Sequence, residues 1–157
     1  MTNRLKIVSI IGGAECTDEE SALAEHVGVL LANKGVVVVT GGGWGVMEAA
    51  SRGAASVGGI SIGILPGDEH DSGNEYLKIS IPTGLGHTRN AIVAQAGESV
   101  IAIGGSYGTL SEIGIALKVG RRVIGLGSWE ARDASKQDLG ILVAQNADEA
   151  VNLALQE

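Results

Sequence analysis

The chain has 157 residues, 45% hydrophobic and 18% charged, a globular rather than a disordered composition with enough length for one domain and its core. Its formal net charge of −7 argues against a dedicated nucleic-acid binder, which needs a basic face for the phosphate backbone, but leaves room for one small anion held by backbone amides. The single cysteine, Cys16, rules out an internal disulfide framework, and no apolar run reaches membrane length without glycine or charge. The start, Met1-Thr2-Asn3-Arg4-Leu5-Lys6, carries no secretory signal, so the expected location is the cytoplasm.

Apolar, β-branched runs alternate with helical patterns along the chain. Lys6–Gly12 reads as a first buried strand, and Asp18–Lys34 as a helix with Leu23, Val27, Leu30 and Leu31 on one face. Thr17 with Glu20 forms a capping-box pattern at its start, and Gly35 sits where a helix stop is expected. Val36–Thr40 is a continuous apolar strand of the kind found in sheets covered on both faces. Trp44–Ser56 follows as a helix, Ile60–Leu65 as a strand closed by Pro66-Gly67, and Asp68–Glu75 as a polar surface loop. Tyr76–Ile81 alternates like an edge strand, Gly86–Ala96 reads as helical, Ser99–Ile103 as a buried strand and Thr109–Val119 as a helix. Arg122–Leu126 and Ile141–Val143 complete the strands, Trp129–Asp138 is a polar connection, and Ala147–Gln156 is a terminal helix. This β-α-β-α order predicts a single doubly wound, parallel-sheet, Rossmann-like α/β domain over residues 1–157. Ligands in such sheets sit beyond the carboxyl ends of the strands, at a switch point.

Two glycine loops fall at such ends. The first is Thr40-Gly41-Gly42-Gly43-Trp44-Gly45-Val46-Met47-Glu48, and the second is Gly104-Gly105-Ser106-Tyr107-Gly108-Thr109-Leu110-Ser111-Glu112. Each leaves a buried strand and opens a helix, and each echoes the other. Glycine lets a ligand approach the backbone, and a helix N-terminus offers unpaired N–H groups that suit phosphate. Ser106 and Thr109 add hydroxyl donors. The alternative is that such loops only make tight strand-to-helix turns. Gly12-Gly13, after the first strand, lies at the same end of the sheet but lacks the G-x-G-x-x-G spacing of a dehydrogenase. The second strand ends in Thr40 rather than an acid, and no Walker A sequence is present.

The second loop resembles the P-G-G-x-G-T-x-x-E signature of the Lonely guy (LOG) family. Gly86-His87-Thr88-Arg89-Asn90-Ala91 resembles that family's arginine-bearing helix start, and the first loop resembles its G-G-G-x-x-G-L-M motif. Within the superfamily, Gly63–Gly67, Ile81–Gly86 and Ile103–Gly105 look closest to the molybdenum cofactor carrier-like branch. The resemblance implies that Arg89 and Glu112 stand where LOG enzymes keep their catalytic pair. It also implies that Gly12, Gly13, Gly41, Gly42, Gly43, Gly45, Val46, Met47, Thr88, Asn90, Gly104, Gly105, Ser106, Tyr107, Gly108 and Thr109 line a ligand site with them. Carrier-like members are thought to bind a phosphorylated pterin cofactor, whereas LOG enzymes split the N-glycosidic bond of nucleoside 5′-monophosphates.

Three departures weigh against hydrolysis more than against phosphate binding. Gly104 replaces the signature proline, Asn90 replaces the usual lysine after the arginine, and Thr40 stands where the first motif begins with glycine. The expectation is therefore a binding protein for a small phosphorylated heterocycle, either a nucleoside monophosphate or the molybdenum cofactor. The alternatives are a phosphoribohydrolase and an oligomeric module with a vestigial site. The resemblance further implies a homo-oligomer, dimer or tetramer; the charge and the short apolar runs predict no nucleic-acid or membrane partner, and the lack of metal-ligand spacing predicts no metal site. Glu112, one turn into its helix, is expected to stay ionised at the positive helix end. An Arg89–Glu112 salt bridge lining an empty pocket is the structural alternative.

Other residues read as structural. Asp68-Glu69-His70-Asp71 is expected to be a solvated loop, His26 an exposed helix position and His87 a cap or surface residue. Cys16 is expected at the pocket rim and Arg121-Arg122 on the surface. Trp44 and Tyr107 are each equally suited to stacking on a ligand ring or covering a loop.

Overall fold

The computed structural model describes residues 3–157; Met1 and Thr2, part of the start read as carrying no signal, lie outside the described residues. Seven parallel strands form one sheet. In chain order they are β1 (Ile7–Gly12), β2 (Val37–Thr40), β3 (Ser61–Leu65), β4 (Ile79–Pro82), β5 (Ser99–Ile103), β6 (Arg122–Leu126) and β7 (Leu142–Ala144). Their order across the sheet is β4-β3-β2-β1-β5-β6-β7, so the chain steps outward from β1 in one direction and then returns to its other side with β5. The β1/β5 junction is the switch point. There Ile10 pairs with Ile101 and Gly12 with Ile103, which brings the carboxyl ends of both strands level.

The described helices are α1 (Asp18–Asn33), α2 (Val46–Ser56), α3 (Asn90–Ala96), α4 (Tyr107–Lys118) and α5 (Ala147–Leu155). One core cluster joins Val8, Ile10 and Ile101 of the sheet to α1, α2 and α5. A second joins Ile11, Val39 and Val100 to α3 and α4. The inner strands are largely apolar because both faces are covered, and β2 and β5 are buried along their whole length. β4, at the sheet edge, alternates between exposed and half-buried residues.

Local chemistry sets the element ends. The Thr17 hydroxyl accepts from the Glu20 amide at 3.1 Å while the Glu20 carboxylate accepts from the Thr17 amide at 3.0 Å, completing the capping box. α2 starts at Val46 rather than Trp44, because Gly45 takes φ +62°. α4 starts at Tyr107, two residues before the expected Thr109. The segment expected to be helical over Gly86–Ala96 divides: Gly86–Arg89 is a 3-10 turn entered through Leu85, and only Asn90–Ala96 is α-helical. The edge strand shortens from Tyr76–Ile81 to Ile79–Pro82, because the Tyr76 amide donates to the Asn74 side chain in a turn.

α1 and α2 touch at backbone level. A Cβ at Gly28 would sit 2.2 Å from the Ala50 carbonyl oxygen, and one at Gly53 would sit 2.0 Å from that of Glu25. Both positions therefore require glycine for the helices to meet. Among the described residues no helix is long and apolar enough to cross a membrane.

Candidate functional site

The two glycine loops open on the same side of the sheet. A cavity of about 180 Å³ sits over the carboxyl ends of β1 and β5, lined by Gly12 and Gly13, Gly41 and Met47, Arg89 and Asn90, and Ser106, Gly108, Thr109 and Glu112. Ile10, Ile11, Ala14 and His87 complete its wall. A second lobe of about 380 Å³ shares Ala14, Gly41, Met47 and Arg89 with the first and extends along the first loop to Trp44, Leu65 and Pro66.

The second loop supplies the stronger anion seat. Gly104 and Gly105 take φ +54° and +106°, and Ser106 is extended, so the chain reverses sharply into α4. Among the described residues the amides of Gly105, Ser106, Tyr107, Gly108 and Thr109 find no acceptor, whereas Leu110 already bonds to the Ser106 carbonyl. Free amides at the positive end of a helix are the usual partners of phosphate. The first loop is more self-contained. Its Gly42 amide donates to the Thr40 hydroxyl at 3.0 Å, and its Val46 amide to the Gly13 carbonyl at 3.0 Å. Thr40, where the family motif has glycine, therefore fixes this loop.

Arg89 lines the inner cavity and reaches the first loop. Its Nη2 donates to the Gly41 carbonyl at 3.3 Å, its Nη1 donates to the Asn90 side-chain oxygen, and its Nε is buried without a partner. The backbone of Gly41 leaves room for this, since a Cβ there would lie 2.8 Å from Arg89 Nη2 and from Met47 Sδ. Asn90, where LOG enzymes have lysine, thus orients the guanidinium. Burial lowers the pKa of Arg89, and the nearby Glu112 partly restores it.

Glu112 is only 7% exposed on α4. Burial drives its pKa up from 4.5 to about 7, against the pull of Arg89, so the carboxyl is divided between its two forms near neutrality. The sequence expectation is that the helix end keeps it ionised; burial works against that and leaves only part of the carboxyl charged near neutrality. Nor do the two residues close into a salt bridge, since the ion pairs of the described residues involve neither.

Several predicted residues lie outside the cavity. Val46 is fully buried in the core under the sheet, Thr88 is exposed on the 3-10 turn, and Gly45 backs onto Gly13 and Ala14. Tyr107 is 83% exposed and stacks on Trp129, with ring centroids 6.2 Å apart. Gly104 and Gly105 face a separate cleft of about 400 Å³ beside Glu20, Ser128 and Trp129. Gly42 and Gly43 line the second lobe rather than the first.

Sequence reasoning missed Asn74. It lies inside the segment read as a solvated loop, yet it is 4% exposed. Its backbone amide donates to the Gly42 carbonyl at 2.9 Å and its Nδ2 to the Gly43 carbonyl at 2.8 Å, clamping the first glycine loop. A lone asparagine in a polar run gave no signal for this. His87, read as a cap or surface residue, is exposed on the 3-10 turn and borders the inner lobe. Arg122, read as a surface residue, is half-buried: its Nη1 donates to the Leu153 carbonyl at 3.1 Å and also to that of Gln156, capping α5. Cys16 is half-buried, and burial and Glu20 raise its pKa. A cavity of about 420 Å³ lies at the opposite, amino-terminal ends of β1, β5 and β6, by Lys6, Glu98 and Arg122, and contains none of the predicted site residues.

The profile of the SLOG cluster4 family matches residues 5–151. The chain belongs to that family. Within this LOG-like superfamily it lies near the molybdenum cofactor carrier branch. A protein of Archaeoglobus fulgidus described as uncharacterized is 41% identical over 97% of this chain and 96% of its own. The molybdenum cofactor binding protein of Rippkaea orientalis superimposes with a TM-score of 0.87 at 35% identity, over 97% of this chain and 96% of that one. The molybdenum cofactor carrier protein of Chlamydomonas reinhardtii does so with a TM-score of 0.80 at 30% identity, over 95% of each chain. The seven-stranded Rossmann-like architecture of this SLOG chain is therefore that of the carrier proteins.

Proposed function

We propose that this chain binds and carries a small phosphorylated heterocycle, of the molybdenum cofactor or nucleoside monophosphate kind, at the β1/β5 switch point. The observation that carries this reading is the pairing of free amides at the start of α4 with the buried Arg89 guanidinium, whose Nε has no partner, around one cavity. Arginine offers a planar fork of donors suited to phosphate, and its charge is least solvated where it is buried. The two adjoining lobes, at about 180 and 380 Å³, reach the size range of small-ligand sites. The donors present suit a phosphate and the polar edges of a ring. A carried cofactor would bring its own molybdenum as cargo.

Binding is favoured over N-glycoside cleavage by the residue that follows Arg89. The family position of a second cation is occupied by Asn90, whose side-chain oxygen is already used by Arg89. The same reading places the protein in the cytoplasm as a homo-oligomer, dimer or tetramer, and the exposed Leu85 and Ile92 beside α3 support a subunit contact there. Calorimetric titration of the purified protein with AMP, ribose 5-phosphate and the pterin cofactor tests the proposal. Saturable binding of at least one without release of base is the expected result; no saturable binding of any of them, or rapid release of ribose 5-phosphate from AMP, overturns it.

A further inference from the structure

The outer lobe of the cleft has a different chemistry from the inner one, and we infer that it is a seat for a flat heteroaromatic ring, with Trp44 as the residue that selects for that ring. The inference rests on the phosphorylated-ligand reading, because the phosphate is what occupies the inner lobe. The outer walls are Trp44, Met47, Leu65 and Pro66, with the backbone of Gly41–Gly43 and the Ser72 side chain at the edges. Apolar faces with a few polar edge groups are what a neutral ring with hydrogen-bonding edges requires.

Trp44 is 55% exposed, yet the loop that carries it is pinned at both flanks. On one side the Gly42 and Gly43 carbonyls accept from Asn74, and on the other the Val46 amide donates to Gly13. An indole carried on a pinned loop and left half exposed buries little of its apolar face inside the chain. A stacked ring supplies that burial, since an indole offers the broadest π-face of any side chain. Continuity of the two lobes through Gly41, Met47 and Arg89 lets one molecule place its anion on α4 and its ring on Trp44. The ligand class that fits is a phosphorylated compound bearing a flat, uncharged bicyclic ring; ring-free sugar phosphates would use only half of the cleft.

The sequence has two tryptophans, so Trp129→Phe leaves Trp44 as the sole fluorescent indole. Titration of that protein with GMP, guanosine, ribose 5-phosphate and inorganic phosphate, followed by fluorescence and calorimetry, tests the seat. GMP is expected to quench Trp44 and to bind about tenfold more tightly than ribose 5-phosphate, the scale of one base–aromatic stack. With calorimetry as the readout, Trp44→Ala should bring GMP down to the affinity of ribose 5-phosphate while leaving the latter unchanged, and Trp44→Phe should restore most of the difference. If ribose 5-phosphate binds and GMP binds no better, or if Trp44→Ala weakens both equally, the ring seat is wrong and the phosphate reading stands. If guanosine quenches Trp44 while ribose 5-phosphate and phosphate fail to bind, the phosphate reading falls and the ring seat survives. If none of the four binds, both are overturned.

Discussion

Replacing Glu112 with glutamine keeps the volume of the side chain, removes its proton, and so isolates what burial does to this carboxyl. In the folded protein the group titrates at about 7; released into the unfolded chain it returns to about 4.5. Between those values the folded state holds the proton that the unfolded state has lost, so stability falls as pH rises from about 4.5 through about 7. At 1.36 kcal/mol per pH unit, the full loss is about 3 kcal/mol, most of it between about pH 5 and pH 8. Glu112→Gln has no such dependence. Urea unfolding of both proteins at about pH 5 and about pH 8 measures it, because every other titrating group is common to the two and cancels in the difference. The wild type should lose about 2 to 3 kcal/mol relative to the variant on going to the higher pH. A difference that stays constant with pH, or a wild type that gains stability as pH rises, would refute the claim that desolvation outweighs the pull of Arg89 at this position.

Gly41→Ala places a methyl group against Arg89 Nη2, Arg89 Cζ and Met47 Sδ, all ends of flexible side chains. Thermal melts should therefore move little, by less than about 1 kcal/mol, while AMP affinity measured by calorimetry drops at least about tenfold through the displaced guanidinium. Arg89→Lys cannot reproduce the fork that reaches both Gly41 and Asn90, and should weaken ribose 5-phosphate binding by about tenfold or more; unchanged affinity in the same titration would remove Arg89 from the site. Asn74→Ala removes the side-chain bonds to Gly43 and Tyr76 from a buried position and should cost about 2 kcal/mol in denaturant unfolding. Thr17→Ala breaks the capping box and should cost about 1 kcal/mol by the same assay, with AMP affinity unaltered.

The sheet was legible because its inner strands are buried on both faces and must be largely apolar, as in Val37–Val39 and Val100–Ile103. The loops were legible as glycine clusters at strand ends. Their pairing across the switch point then follows from topology alone. What sequence could not supply was the balance of opposing effects and the contacts made over long separations. The charge of Glu112 depends on how deeply α4 is covered, which no local pattern reports. Asn74 reaches a loop 31 residues away, and its polar neighbours concealed that it is buried. The 3-10 turn at Gly86–Arg89 escaped because Gly84 and Gly86, both at positive φ, bend a stretch whose composition otherwise suits an α-helix.

The glycine-to-carbonyl contact between α1 and α2 has a consequence at the far end of α2. With no side chain between them at Gly28 and Gly53, the two rods have no slack to slide or tilt, and α2 is as fixed as the strands beneath it. Its amino terminus carries the tryptophan-bearing loop. Any give at the cleft then belongs to the opposite bank, where a short 3-10 turn and a seven-residue helix bear Arg89, and not to the tryptophan side. An alanine at Gly28, remote from the cavity, would wedge that joint apart and move one wall of the cleft away from the other.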